Sequence, residues 1–215
     1  MTPQREEKFR RVVAKRQFNL TVVLENVHDP HNIGAVMRTC DAVGIREIYV
    51  LYTENQLTEE TLQVGTSAAS GAKKWVDVHL FEDPASCFKA IRQKYDFIFA
   101  THLAEDAKSL YDIDLTASVA LLFGNEKDGV SAESLTYTDG NFLIPQMGMV
   151  QSLNISVACA VSLYEALRQR LQAGLYEQDP LELDAQQSQL FDQYYNLHEQ
   201  RIIDRRNSKK GLKLD

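Results

Sequence analysis

The sequence lacks the features that mark several large classes of protein. It contains no apolar run long enough to cross a membrane, and its first residues lack the apolar core of a signal peptide. We therefore expect a cytoplasmic protein with no membrane partner. Its three cysteines are isolated, without the paired spacing of metal ligands, so reduced core thiols and no bound metal are predicted.

Three common catalytic signatures are also missing. The chain has no P-loop, no G-x-G-x-x-G at its first predicted βα turn and no G-x-S-x-G elbow. Nucleotide hydrolysis, ordinary dinucleotide redox chemistry and serine hydrolysis are therefore disfavoured. The histidines His28, His31 and His102 lack a tight ligand spacing, which favours a structural role over a metal site.

An overall excess of positive charge is absent too, because the formal net charge is −7. Residues 1–20 nevertheless carry six lysines and arginines against two glutamates, and residues 199–215 carry six against three acidic residues. Both ends are thus basic around an acidic middle. A polyanion would be bound by the termini, although solvated basic ends explain the same pattern equally well.

The remaining pattern predicts one α/β domain with a parallel sheet. The 215 residues, 44% of them hydrophobic, suffice for one substantial core. Apolar runs predict strands at 20–25, 47–52, 75–80, 97–101, 119–123 and 142–144, and helical periodicity predicts helices at 4–16, 33–43, 84–94, 152–173 and 185–203. Strands that alternate with helices form a parallel sheet covered by helices on both faces. We divide the chain into a basic N-terminal helix (1–20), the sheet domain (21–174) and a helical extension with a basic tail (175–215).

Polar or glycine-containing loops follow four of these strands, at residues 26–32, 101–102, 124–126 and 145–154. Ligands of parallel sheets bind at the carboxyl ends of the strands, so these loops should converge on one site. The last of them is rich in methionine and contains Gly148, and it leads through Ser152 and Asn154 into a long helix. It is typical of a small-molecule site, or of a buried corner lined by soft side chains.

Three segments together resemble a known family. NVHDPHNIGAVMRTCDAVG (26–44), LFGNEKDGV (122–130) and IPQMGMVQSLNISV (144–157) resemble, in order and spacing, the signature motifs of the SpoU/TrmH branch of the SPOUT RNA methyltransferases. Residues 68–75 and 100–103 are most similar to the TrmH group, which methylates the ribose of a D-loop guanosine, nucleotide 18, in tRNA. The resemblance covers roughly residues 5–176.

The resemblance implies a parallel sheet whose C-terminal part is threaded into a trefoil knot. It also implies that S-adenosylmethionine binds in the knot, and that two copies form a homodimer with the active site at the subunit interface. The partner would be tRNA, with no DNA and no metal. The residues that match the cofactor-binding positions are Thr101, Gly124, Ile144, Met149 and Leu153.

The same motifs imply the groups that act on the ribose. They are Arg38, Asn32, Glu126, Ser152 and Asn154. Since arginine is almost never deprotonated, Arg38 is expected to stabilise negative charge on the 2′-oxygen or to bind the adjacent phosphate, with Glu126 as its ion-pair partner. Considered singly, Asn32 and Ser152 are equally typical of helix N-caps, and Arg38 of an exposed helix.

The basic residues predicted to contact RNA are Arg10, Arg11, Lys15, Arg168, Arg205 and Lys209. For Arg168 on the long helix, simple solvation is the alternative to phosphate binding. Two other functions stay open. One is ribosomal RNA 2′-O-methylation, although such relatives often carry an additional N-terminal domain. The other is a non-catalytic RNA-binding dimer, which the presence of Arg38, Glu126 and Asn154 disfavours.

Overall fold

The structure is a computed structural model that describes residues 1–54 and 71–211, with side chains up to residue 204. The chain forms two compact units. One comprises residues 17–173, and the other comprises residues 1–16 together with 174–215. Residues 55–70, which include the first three residues of the matched segment 68–75, lie outside the described residues.

The larger unit is built on a parallel sheet. Its strands are β1 (Leu20–Glu25), β2 (Glu47–Leu51), β3 (Asp77–Phe81), β4 (Phe97–Thr101), β5 (Lys108–Ser109), β6 (Val119–Phe123) and β7 (Gly140–Leu143). The order across the sheet is β3-β2-β1-β6-β4-β7-β5, and every pairing is parallel. All residues of β1 and β6 are buried, because these central strands are covered on both faces.

Helices pack on both sides of this sheet, as predicted. They are α2 (Pro30–Val43), α3 (Pro84–Arg92), α4 (Ala132–Leu135) and α5 (Ile155–Gln172), whereas α1 (Pro3–Ala14) and α6 (Ala185–Gly211) belong to the smaller unit. One hydrophobic core joins the sheet to α2 and α5, through Met37 and Leu163 among others. A second core on the opposite face joins the sheet to α3 through Phe88 and Ile91. No described helix is long and apolar enough to cross a membrane.

The strand order differs from the chain order at the C-terminal half. The chain passes from β4 to the edge strand β5, returns to β6 beside β1, and then places β7 between β4 and β5. This path is consistent with the trefoil knot that the family resemblance implies. It brings the ends of β6, β4 and β7 next to one another.

A buried arginine fixes the end of α5 to the sheet domain. Arg170 is fully buried, and its guanidinium donates to the carbonyls of Leu115 and Ala117 and to the side-chain oxygens of Gln17 and Asn19, at 2.6–2.9 Å. Hydrogen bonds from several directions offset the cost of burying the charge. The C-terminal end of α5 is thereby held to the segments that precede β1 and β6.

The smaller unit consists mainly of α1 and α6. Helix α6 starts with a reciprocal cap, because Asp184 accepts from the Gln187 backbone N–H and the Gln187 side chain accepts from the Asp184 N–H. Phe9 of α1 packs edge-on against the ring of Tyr194 at 6.0 Å. Tyr195 and Leu197 on α6 are exposed in the single chain.

Several element boundaries differ from the sequence predictions. Strand β5 and the one-turn helix α4 were not predicted, because two residues and four residues are too few to show a periodicity. Helix α5 begins at Ile155 rather than at residue 152. Helix α2 begins at Pro30, three residues earlier than predicted, and ends at Val43, followed by Gly44 as a left-handed C-cap with a φ of 88°.

Candidate functional site

Three side chains from the three matched segments form a connected hydrogen-bond chain. The Asn32 amide nitrogen donates to Glu126 Oε1 at 2.5 Å, and the Asn154 amide nitrogen donates to Asn32 Oδ1 at 3.2 Å. Asn154 Oδ1 in turn accepts from the backbone N–H and the hydroxyl of Ser156. These hydrogen-bonded side chains lie where the loops after β1, β6 and β7 meet, at the carboxyl edge of the sheet.

The first turn of α2 presents Asn32 to this chain. Asp29 caps the helix by accepting from the His31 N–H at 2.8 Å, and Pro30 occupies the first helical position, where its missing N–H costs nothing. Asn32 is buried, with 8% of its surface exposed. Its amide is therefore fixed on both sides by Glu126 and Asn154 rather than by solvent.

The loop after β6 holds Glu126 through a tight backbone turn. Asn125 Oδ1 accepts from the backbone N–H groups of Lys127 and Asp128, and its carbonyl accepts from Gly129 N–H. A Cβ at Gly124 would lie 2.0–2.2 Å from backbone atoms of Gly129 and Val130. Glycine at 124 is thus required by the approach of the loop to itself.

The loop after β7 connects the sheet to α5. Asn154 caps α5 from φ −52° and ψ 140°, whereas Ser152 is exposed and does not cap the helix. The expectation that both residues begin the helix is therefore correct only for Asn154. Met147 and Met149 are 94% and 100% exposed in the single chain, and nothing lies within 4 Å of a Cβ placed at Gly148.

Arg38 stands apart from the hydrogen-bond chain. It lies on the exposed face of α2, and among the described residues it makes no hydrogen bond or ion pair. The predicted ion pair between Arg38 and Glu126 is wrong for the single chain. Glu126 accepts from Asn32 instead, and Arg38 is six residues along α2 from Asn32, on a different face of the helix.

The residues predicted to bind the cofactor are arranged around neighbouring strand ends. Thr101 ends β4, while Gly124 and Ile144 directly follow β6 and β7, the two neighbours of β4 in the sheet. The Thr101 hydroxyl donates to the Leu122 carbonyl at 3.3 Å. Ile144 packs against the core, Leu153 is half-buried, and Met149 extends fully into solvent.

The residues predicted to contact RNA differ in whether their basic side chains already contact other groups of the protein. Arg11 is exposed and has no partner among the described residues. Arg10 donates to Glu6 at 3.2 Å and lies over the Phe191 ring, while Lys15 donates to the Tyr176 carbonyl. The side chains of Arg205 and Lys209 lie outside the described residues.

Arg168 is held on α5 by a carboxylate. It donates to both oxygens of Glu165, at 2.7 and 2.9 Å, and to Gln172. The hydrogen bonds from Arg168 lower the pKa of Glu165, and the same contact raises the pKa of Arg168. A phosphate would therefore compete with Glu165 for this guanidinium.

Two further residues near Glu126, Asn125 and Tyr52, were not singled out by the sequence. The Asn125 amide contacts His28 Nε2 at 3.0 Å, and His28 lies 3.5 Å from Glu54. Burial raises the pKa of Tyr52, and the nearby Glu126 carboxylate raises it further, so this hydroxyl stays protonated. An asparagine at the start of Asn-Glu-Lys-Asp-Gly is a recognisable turn signal, whereas nothing local marks Tyr52.

No group of three or more His, Cys, Asp or Glu side chains within residues 1–54 and 71–204 is arranged to hold a metal ion. The polar groups of the site are instead amides, hydroxyls and one carboxylate. Such groups orient a ligand by hydrogen bonds, and the exposed methionines beside them offer apolar contact area.

The geometry agrees with what comparisons with known proteins find. The chain is 42% identical over 191 residues to the tRNA (guanosine(18)-2'-O)-methyltransferase of Thermus thermophilus, covering 89% of this chain and 96% of that protein. The crystal structure of the Aquifex aeolicus TrmH/SpoU tRNA modifying enzyme matches with a TM-score of 0.74 at 34% identity, over 90% of this chain and 96% of that one.

The SpoU methyltransferase AviRb of Streptomyces viridochromogenes, determined in complex with the cofactor AdoMet, matches with a TM-score of 0.64 at 26% identity. That match covers 73% of this chain and 59% of AviRb. Residues 19–164 match the family described as the SpoU rRNA Methylase family, so all three segments of the site lie inside the match. The chain therefore belongs to the SpoU rRNA methylase family.

Proposed function

We propose that the protein transfers a methyl group from S-adenosylmethionine to the ribose 2′-oxygen of guanosine 18 in the D-loop of tRNA. The observation that carries this proposal is the hydrogen-bond chain Glu126–Asn32–Asn154, which joins all three matched segments at one edge of the sheet. The extent of the match supports the choice of substrate, since it covers 96% of a relative named for this reaction.

The residues at the strand ends fit S-adenosylmethionine. Thr101, Gly124 and Ile144 border a single edge formed by β4, β6 and β7, and the loop after β7 has exposed methionines and open space at Gly148. Gln146 Oε1 in this loop is buried and has no hydrogen-bond partner among the described residues, so it can accept from a ligand amino group. When bound, the cofactor would supply a methyl group activated by a sulfonium.

The hydrogen-bond chain Glu126–Asn32–Asn154 would hold the acceptor ribose, while Arg38 would stabilise the ribose 2′-oxygen. Attack by the 2′-hydroxyl requires the loss of a proton and develops negative charge on that oxygen. A permanently protonated guanidinium stabilises this charge or binds the adjacent phosphate. Arg38 is exposed in the single chain and makes no hydrogen bond or ion pair among the described residues, so its guanidinium can contact RNA or a second subunit.

A homodimer with the site at the subunit interface is part of this proposal. Helix α5 follows the site loop and exposes Val157, Tyr164 and Leu171, which are 47–55% exposed, at spacings of seven residues. This repeat gives α5 an apolar stripe that a second copy would cover. An interface beside the site would also bring Arg38 of one protomer toward the hydrogen-bond chain Glu126–Asn32–Asn154 of the other protomer.

The basic termini are proposed to bind tRNA phosphates. Lys8 and Arg11 are exposed three residues apart on one face of α1, and the exposed Lys15 follows the helix directly. Among the residues predicted to contact RNA, Arg11 is the strongest candidate, because Arg10 and Arg168 already contact carboxylates. The proposed substrate places the protein in the cytoplasm.

The experiment that tests the proposal uses labelled S-adenosylmethionine and unmodified tRNA. The methylated product is digested with nucleases, and the modified nucleotide is identified. Label in 2′-O-methylguanosine from the D-loop is the expected result. Label on a base, label at another ribose, or labelling of ribosomal RNA in place of tRNA would each overturn the proposal.

A further inference from the structure

The last residue of β1 is a buried carboxylate with an unusual set of partners. Glu25 is only 1% exposed, and its oxygens accept from Ser131 N–H at 3.0 Å, from Ser131 Oγ at 2.6 Å and from Ser134 Oγ at 2.7 Å. Among the described residues, no lysine, arginine or histidine pairs with it. All of its partners therefore come from one short segment, which begins helix α4.

Burying a carboxylate without a cation is costly, and an apolar side chain would fill this position more cheaply. Hydrogen bonds from uncharged donors to an ionised acceptor are strong and directional, so the carboxylate fixes the geometry of its donors. Glu25 is thus better explained by what it positions than by a gain in stability.

The segment that Glu25 holds is the far end of the loop that carries Glu126. The near end of this loop is fixed by β6, whose Phe123 pairs with Leu24 of β1. Gly124 contacts the backbone of Gly129 and Val130, so the two ends of the loop support each other. Once Ser131 is fixed to Glu25, the position of Glu126 between these ends is determined.

Glu25 also lies next to the loop that leads to Asn32. The following residue, Asn26, has a φ of 50°, and its amide exchanges two hydrogen bonds with Thr53. A positive φ at a residue other than glycine is strained, so these contacts hold the end of β1 firmly. One rigid corner therefore determines where both Asn32 and Glu126 stand.

We infer that Glu25 is a positioning residue, which acts through Ser131 and Ser134 to hold Glu126 in contact with Asn32. It does not touch the substrate. This inference rests on the proposed function, because the effect of Glu25 is read out in methyl transfer.

The test is a double-mutant cycle on the full chain with tRNA as substrate. Glu25→Gln preserves shape but replaces one acceptor oxygen with an amide donor. We expect its kcat to fall about tenfold to a hundredfold, with the KM for tRNA changed less than about threefold, because small misplacements of site groups cost this much. Combined with Glu126→Gln, it should cause no further loss.

Full activity of Glu25→Gln, or losses that multiply with those of Glu126→Gln, would overturn the inference. Ser134→Ala removes one donor and replaces Glu25→Gln in the cycle if that variant does not fold. Its matched control is Thr136→Ala, which removes a hydroxyl bonded only to the Glu133 carbonyl and should leave kcat unchanged. A wild-type protein that methylates no tRNA ribose would instead show that the proposed function is wrong.

Discussion

The Asn32 side-chain amide donates to Glu126 Oε1 at 2.5 Å, across 94 residues of sequence. This contact joins the helix after the first strand to the loop after β6. Because Asn32 also accepts from Asn154, each of the three matched segments contributes one side chain to a single rigid group. A ribose bound there would meet polar atoms whose directions are set before it arrives.

Replacing Asn32 by aspartate should disable this group without changing its size. The new carboxylate cannot donate to Glu126 and repels it, so we expect the single-turnover rate of methyl transfer to fall by about a hundredfold or more. Binding of S-adenosylmethionine, measured by calorimetry, should be nearly unchanged. A variant with wild-type transfer would show that the hydrogen-bond chain does not serve catalysis.

Arg38→Ala and Glu126→Gln should each lower activity strongly but leave a measurable residue, yet mixtures of the two should recover activity. The reason is that Arg38 has no contact with Glu126 within one chain, whereas a dimer can combine Arg38 of one protomer with Glu126 of the other. Each mixed dimer would then hold one intact site. Activity is measured after the two variants are unfolded together and refolded.

A mixture no more active than its components would contradict a site shared between subunits. Lys89→Glu serves as the control for refolding. Its side chain is exposed on α3, on the other face of the sheet, so the refolded variant should keep full activity.

Gly124→Ala and Gly148→Ala form a matched pair of substitutions. A Cβ at 124 would lie 2.0 Å from the Gly129 backbone, so the loop must move and we expect a loss of about 2–4 kcal/mol in the free energy of unfolding. A Cβ at 148 meets nothing within 4 Å, so stability should change by less than about 1 kcal/mol. Urea unfolding measures both, and equal losses would contradict the close approach at Gly124.

The Glu47 carboxylate predicts a dependence of stability on pH. It accepts from Lys94, His79, Tyr49 and Tyr95 at 2.8–3.0 Å. Burial opposes its ionisation, but the hydrogen bonds from His79 and Lys94 and the charge of Lys94 outweigh burial and lower its pKa to about 2. A lowered pKa in the folded state stabilises the protein above the unfolded value, near 4.5, and this stabilisation is lost as the pH falls toward 2.

Glu47→Gln should therefore reduce the free energy of unfolding by about 1–2 kcal/mol at neutral pH, a range that allows for solvent screening of the partly exposed group. The difference from wild type should shrink between pH 4.5 and pH 2. Urea titrations at a series of pH values measure this difference. A difference that stayed constant over this range would show that Glu47 is not ionised in the folded protein.

The sheet could be predicted from the sequence to a large extent. The bounds of β1, β4 and β6 match the predicted 20–25, 97–101 and 119–123, since continuous apolar runs between polar loops leave little choice. The order of the strands could not be read in the same way. It depends on which segments pair across the sheet, and no local pattern records that the chain returns from β5 to β6.

The site was predictable as a set of segments but not as a set of contacts. Motif resemblance brought Asn32, Glu126 and Asn154 together, and the structure joins them by hydrogen bonds. The predicted partner of Glu126 was Arg38, because opposite charges suggest an ion pair. Which donor reaches the Glu126 carboxylate depends on which face of α2 the donor occupies and on where the backbone lies. Both place Asn32, and not Arg38, beside Glu126. In the sequence, Glu25 is only the last residue of a strand and Ser131 only the residue before a short helix. Nothing local indicates that these two residues, 106 apart, form a hydrogen bond.

The central claim is methylation of one ribose oxygen, and one substrate tests it most directly. A tRNA transcript with 2′-deoxyguanosine at position 18 lacks only the proposed acceptor oxygen. Incubated with the protein and labelled S-adenosylmethionine, it should accept no methyl group, while a transcript with 2′-deoxyguanosine at another D-loop position should be methylated normally. Undiminished labelling of the transcript without the 2′-hydroxyl at position 18 would contradict the account.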